Sequence, residues 1–403
     1  MATIFRARWL IPAAGNPVAD GAVVAEGGRI VRVGPWSRLK AHVGPADAVE
    51  HFPDAALLPG FVNAHTHLAL SDMAGKFRPT RNFTAWLGRL TVRLWARGRQ
   101  AAGKAVRAGV EASLAAGTVA AADMAHDPAC DIPPDETRGQ WVLFRELFRF
   151  GHSGLERLRE TVAALERRPA SDTLRVGLAP HAPYTAGLEV FMAARREADA
   201  RGWPLSVHLH ETLDEIAFTE RGEGTLHDWL RRLRIVPADW RPPGVRPIRM
   251  LAEAGFFSGP VLVAHGNYLT DEDIAVLARS RSSVAWCPRS HAFFKHEDHP
   301  WQRLLAAGVN VCLGTDSLAS SPSLSVLDEA RFAFARESGA DPHGLLDMAT
   351  RRGAAALGLA DELGDLREGL AARLAAVGPL PPTGDPLEAV MAGEGNVRPV
   401  GGV

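Results

Sequence analysis

The sequence predicts an α/β fold, a (β/α)8 TIM-like barrel. Three observations lead there. Eight apolar runs of strand length recur along the chain, segments with helical apolar spacing separate them, and residues with metal-binding chemistry stand at the ends of several runs. Unbroken aliphatic and β-branched strands alternating with helices imply parallel strands covered on both faces. An eight-fold alternation has the size of a barrel whose active site lies at the C-terminal strand ends.

Residues 1–52 read as short strands around Gly and Pro turns, and AVVAEGGRIVRVG alternates about a hairpin-like Gly27-Gly28. The opening MATIFRARWLIPAAG has too short an apolar core for a signal peptide and reads as a first strand. The first barrel run, 57–64, ends in HTH at His65 and His67. The next three end near Ala125 (GTVAAADMA), Phe148 (WVLFRELF) and His181 (LRVGLAPH). The run 205–207 leads into HLHE with His208 and Glu211, 261–264 into His265, SSVAWCPRS ends near Ser290, and 309–314 leads to Asp316. Helical spacing fills 85–114, 155–165, 188–200 and 271–278. The barrel is therefore assigned to residues 57–359, and the terminal unit to 1–56 plus 360–403. Beyond Gly378 the chain is rich in Pro and Gly, which predicts a loosely packed or disordered tail.

Composition narrows the classes. The chain has 403 residues, 46% of them hydrophobic and 23% charged, enough for a large core in an ordinary globular protein. A net charge of -1 argues against nucleic acid or an anionic membrane as partner. Cys130, Cys287 and Cys312 are scattered, so a disulfide framework is not expected and a reducing cytoplasm is. No run is long enough to span a bilayer. A small-molecule substrate remains as the partner class, and a homodimer is left open.

The strand ends carry the chemistry. Two histidines in HxH point to the same side of an extended strand, because side chains alternate. Adding His208 on a fifth strand, His265 on a sixth and Asp316 on an eighth gives the imidazoles and carboxylate that hold one divalent metal, Zn²⁺ first and Fe²⁺ as the alternative. Such an ion acidifies a bound water. A carboxylate three residues past a ligating His, as Glu211 is, can handle the protons of that water.

These segments resemble the amidohydrolase superfamily, in its cytosine-deaminase-like and chlorohydrolase-like branch. The matching stretches are LLPGFVNAHTHLALS (57–71), LAPHAPYT (178–185), HLHETLDE (208–215), VAHGNYLTDEDI (263–274), CPRSHAFF (287–294) and LGTDSLASSPSLSVLDE (313–329). GDLREGLAARLAAVG (364–378) resembles the closing strands of the family, which implies a small β-sandwich built from both termini, although Ala372 and Arg373 stand where relatives often carry Ala-Asp. The resemblance implies metal ligands His65, His67, His208 and Asp316. It also implies that Asp316 takes a proton from the attacking water, His265 steadies that water, and Glu211 shuttles protons to a ring nitrogen and to departing ammonia. His181 matches a position that contacts substrate. Two-metal members bridge their ions with a lysine near the fourth or fifth strand; here the lysines are Lys40, Lys76, Lys104 and Lys295, so a single metal is expected.

The THLALS and FTAWL arrangement resembles aminodeoxyfutalosine deaminases, which implies an adenine nucleoside-like substrate. Trp86, beside Phe83 and Leu87, can stack on a heteroaromatic base, though a helix packing face explains it as well. Arg289 in CPRS is the best-placed guanidinium for a substrate carboxylate. The insertion 222–247, with Trp229 and Trp240, suggests a lid, with ordinary helix packing as the alternative. Hydrolysis of a cyclic amide or of another ring substituent is the alternative activity. A non-catalytic scaffold would have lost ligands, and every expected ligand is present.

Overall fold

A computed structural model of the chain describes residues 1–133, 136, 138–169 and 171–402. Fourteen strands are assigned among them. The terminal ones are β1 (Thr3–Leu10), β2 (Val18–Glu26), β3 (Arg29–Pro35), β4 (Ala48–Pro59), β13 (Arg373–Gly378) and β14 (Asn396–Gly401). The central ones are β5 (Phe61–Thr66), β6 (Thr118–Ala125), β7 (Gln140–Leu147), β8 (Leu174–Pro180), β9 (Ser206–Leu209), β10 (Leu262–His265), β11 (Ser283–Trp286) and β12 (Asn310–Leu313).

The eight central strands are parallel, in two runs ordered β5-β6-β7-β8 and β9-β10-β11-β12. Parallel bridges at Leu178↔Leu205 and Thr66↔Asp316 join the two runs at both ends, which closes the ring. Helices such as Phe83–Ala115, Gly151–Glu166 and Leu188–Arg201 connect successive strands and cover them. This is the (β/α)8 architecture the alternation predicts. No helix among the described residues is long and apolar enough to cross a membrane.

The first barrel strand starts later than the apolar run suggests. Residues 57–59 still belong to β4, and Gly60 turns the chain into β5. A Cβ at Gly60 would lie 2.2 Å from Val119 Cγ1, so only glycine lets this corner pass so close to β6.

The terminal unit is a six-stranded mixed sheet ordered β14-β13-β4-β1-β2-β3. Apolar side chains pack on it in two clusters, one around Phe5, Leu57 and Leu374, the other around Ile4, Ala22 and Leu39. The Gly27-Gly28 turn is a hairpin, both residues having the positive φ that a primed turn requires. The tail departs from its expected looseness. β14 pairs with β13 along its whole length, and the helix Pro386–Met391 buries Leu387, Val390 and Met391 in the main core. Gly and Pro content misreads this segment because its order comes from pairing with a distant strand.

Candidate active site

His65 and His67 leave the C-terminal end of β5, and His208 sits in β9. On the His208 side, small residues make room. Ala264 pairs with His208, Ala285 with Ala264, and Cys312 with Ala285, so all share its face of the sheet. Gly314 does the same at β12, since a Cβ there would stand 2.8 Å from the Cβ of His65.

The imidazoles converge. The ligand atoms of His65, His67 and His208 lie within 4.8 Å of one another, and His67 Nε2 is 3.2 Å from His208 Nε2. Asp316 Oδ1 faces them, 3.7 Å from His67 Nε2 and 4.0 Å from His65 Nε2. Both ring nitrogens of His65 and Nδ1 of His208 are buried without a hydrogen-bond partner. Burial, reinforced by the neighbouring histidines, holds His65 and His208 well below the ordinary histidine range. Unprotonated, unpartnered imidazole nitrogens beside a carboxylate oxygen are the donor set of a divalent transition metal, and these residues fit one.

The surrounding polar groups fix that set. Ser290 Oγ and Ser320 Oγ each donate to Asp316 Oδ2 at 2.7 Å, leaving Oδ1 for the cluster. Asn63 accepts from Thr315 N at 3.1 Å and donates to Thr315 Oγ1 at 2.8 Å, tying β5 to the turn that carries Asp316. Asp123 accepts from Leu68 N at 2.8 Å, just after His67, while burial pushes its carboxyl up to about 7. Asp316, His265 and His210 all hold positive φ although none is glycine, a strained backbone concentrated at the mouth of the barrel.

Glu211 and His265 stand beside the histidines, with His265 Nε2 3.6 Å from Glu211 Oε1. Burial, then the charges of Asp316 and Glu215, raises Glu211 well above the usual carboxylate range. Burial lowers His265 to about 4. Burial thus favours the protonated form of Glu211 and the neutral ring of His265. Glu215 accepts from His210 N at 3.0 Å and Glu211 N at 2.9 Å, and Asn267 Nδ2 donates to Glu211 O at 2.9 Å. His299 Nε2 donates to His265 O at 2.8 Å. Sequence reasoning missed Glu215, yet Thr212-x-x-Glu215 is a capping-box spacing; Thr212 caps the helix and Glu215 reaches back past it.

His181 Nδ1 lies 2.7 Å from Thr185 Oγ1, and its Nε2 lies 3.8 Å from Glu146 Oε1. Glu146 was read as one letter of an apolar strand. It is buried at the end of β7, and its carboxyl is pushed up to about 8, by burial first and then by Asp123. Both residues line a cavity of about 550 Å³ that opens from His67 toward the helices Phe83–Ala115 and Thr225–Arg232. The insertion after β9 is ordered there and places Trp229 and Leu230 over the cavity.

Two expected substrate contacts are not brought to this cavity. Trp86 is buried in an aromatic cluster with Phe83 and Phe294, its ring 4.9 Å from Phe294, so helix packing accounts for it. Its neighbour Leu87 lines the cavity instead. Arg289 pairs with Glu329 at 2.8 Å and donates to Ser323 and Ser325, so the carboxylate it binds is the protein's own.

Comparison with known proteins follows the same lines. A 5-methylthioadenosine/S-adenosylhomocysteine deaminase of Moorella thermoacetica is 31% identical, covering 91% of this chain and 83% of the relative. An aminodeoxyfutalosine deaminase of Deinococcus radiodurans is 30% identical, covering 85% of this chain and 83% of the relative. The crystal structure of an adenosine deaminase from Xanthomonas campestris with bound zinc superimposes with a TM-score of 0.82 at 25% identity, covering 98% of this chain and 90% of that one. Residues 56–403 match the family model described as the amidohydrolase family, and the chain belongs to that family.

Proposed function

We propose that this chain is a hydrolytic deaminase of an adenine nucleoside-like substrate, working with one divalent ion held by His65, His67, His208 and Asp316. Zn²⁺ is the first choice, since the donors are imidazole and carboxylate, and Fe²⁺ is the alternative. The observation that carries the reading is the convergence of the His65, His67 and His208 imidazoles and Asp316 Oδ1 beside the buried Glu211.

When bound, the ion would supply the Lewis acidity that makes water nucleophilic near neutral pH. Asp316 Oδ1, whose sister oxygen is occupied by Ser290 and Ser320, takes a proton from that water. Glu211 donates its proton to a ring nitrogen as the new C–O bond forms. The proton on Asp316 then leaves on the amino group, the C–N bond breaks and ammonia departs. Glu211 recovers a proton from the new hydroxyl, which leaves the ring as its oxo form. His265, neutral and fixed by His299, orients the water through a hydrogen bond.

Metal-replete protein should convert an adenine nucleoside to its hypoxanthine counterpart with one ammonia per turnover, followed by ultraviolet absorbance and an ammonia assay. An inert nucleoside set alongside turnover of a cyclic amide or a chlorinated ring would replace this reading.

A further inference from the structure

We infer that the cavity beside the histidines selects an adenine nucleoside whose 5′ substituent is uncharged and apolar, and rejects one that ends in a carboxylate. This rests on the deaminase reading above. The cavity begins at His67 and His181 and continues between Leu87, Leu90 and Leu94 on one helix and Leu230 on the other. No lysine or arginine is among its described lining residues, and Glu146 is the one carboxyl among them. Glu146 Oε1 is buried without a hydrogen-bond partner, so it offers an acceptor to sugar hydroxyls. A ligand carboxylate entering this lining would find no cation to offset its lost hydration.

The nearest guanidiniums serve other places. Arg89 and Arg93 line a neighbouring cleft. At about 100° per residue they leave their helix on a different face from Leu87, Leu90 and Leu94. Arg97 is paired with Asp72 at 2.8 Å. The apolar lining instead continues outward. Of the eight exposed large apolar side chains among the described residues, four (Val92, Trp95, Leu233 and Ile235) line this same cavity, Trp95 being 83% exposed. Exposed apolar side chains grouped at a cavity mouth are the mark of a binding surface for an apolar group.

The test uses metal-replete protein with adenosine, 5′-methylthioadenosine, S-adenosylhomocysteine and adenosine-5′-carboxylate. The methylthio nucleoside should exceed adenosine in kcat/KM by roughly ten-fold, from the added apolar burial. It should exceed both carboxylate-bearing nucleosides by at least roughly 10²-fold, because no cation of the lining pairs with their carboxylate. Leu94→Arg, which brings a cation to the lining, should narrow the gap to the carboxylates. If adenosine is turned over while a carboxylate-bearing nucleoside equals or beats the methylthio one, the deaminase reading stands and this inference falls. If every adenine nucleoside is inert, both fall.

Discussion

The two sides of the pocket are built differently. On the histidine side, the groups around the cluster are held by partners, Asp316 by Ser290 and Ser320, the Glu211 backbone by Glu215 and Asn267, His265 by His299, while the His65 ring is left without hydrogen bonds. On the cavity side, leucines, Trp229 and Phe148 make a shaped but largely undirected surface, with Glu146 and His181 as its polar exceptions. Hydrogen bonds fix positions to a few tenths of an ångström, whereas apolar contact fixes size and polarity. On the proposed reading, the first side carries the reaction and the second decides what is presented to it.

Substitutions should separate the two sides. The largest effect belongs to His208→Ala, which removes a nitrogen from the cluster; bound metal measured by elemental analysis and deaminase turnover should disappear together. Glu211→Gln keeps the size and loses the proton, so turnover should fall by roughly 10² to 10⁴-fold while metal content is unchanged. Joint loss of metal would make Glu211 a ligand instead. Ser290→Ala frees Asp316 Oδ2 and should cost roughly 10 to 100-fold in metal affinity or turnover, read by chelator competition. Across the pocket, Leu230→Ala should raise KM by roughly ten-fold and leave kcat nearly intact, since it removes only apolar burial. A fall in kcat as large as that of Ser290→Ala would erase the distinction.

The smallest effect concerns pH. Burial lowers His126 to about 4 and His299 to about 3, so the folded metal-free chain binds fewer protons than the unfolded one below the ordinary value of 6.5. Their contribution is present above 6.5 and lost as pH falls toward 3 to 4. Burial raises Glu146 and Glu215 to about 8 from 4.5, so their contribution is present below 4.5 and lost as pH rises through about 8. Several buried histidines dominate the acid side and the two carboxyls the alkaline side. Denaturant titrations of metal-free protein should place maximum stability near pH 6.5, the ordinary histidine value. Glu146→Gln should flatten the alkaline limb; an unchanged limb would show that Glu146 does not titrate there.

The same contrast explains what the sequence makes legible. The barrel and the convergence of His65, His67, His208 and Asp316 are readable because each of these residues follows an apolar run, and a parallel strand buried on both faces leaves side chains free at its end. The holding groups are less legible: Ser320 reaches Asp316 from four residues further along the same loop, and Ser290 reaches it from just past the end of the neighbouring β11. Glu146 lies inside WVLFREL, where only the register of β7 beside β8 puts it near His181. Arg289 and Trp86 had the right chemistry for a substrate, but Glu329 and the aromatic cluster take them first. The tail shows the opposite error. Its Pro and Gly content suggests looseness, and pairing with β13 orders it.

The most direct test of the account is to titrate metal-free protein with Zn²⁺ and follow ammonia release from 5′-methylthioadenosine at each step. Activity should rise linearly and level off at one equivalent of metal per chain, with bound metal measured on the same samples. A plateau at two equivalents, or full activity with none bound, would contradict a single ion held by His65, His67, His208 and Asp316.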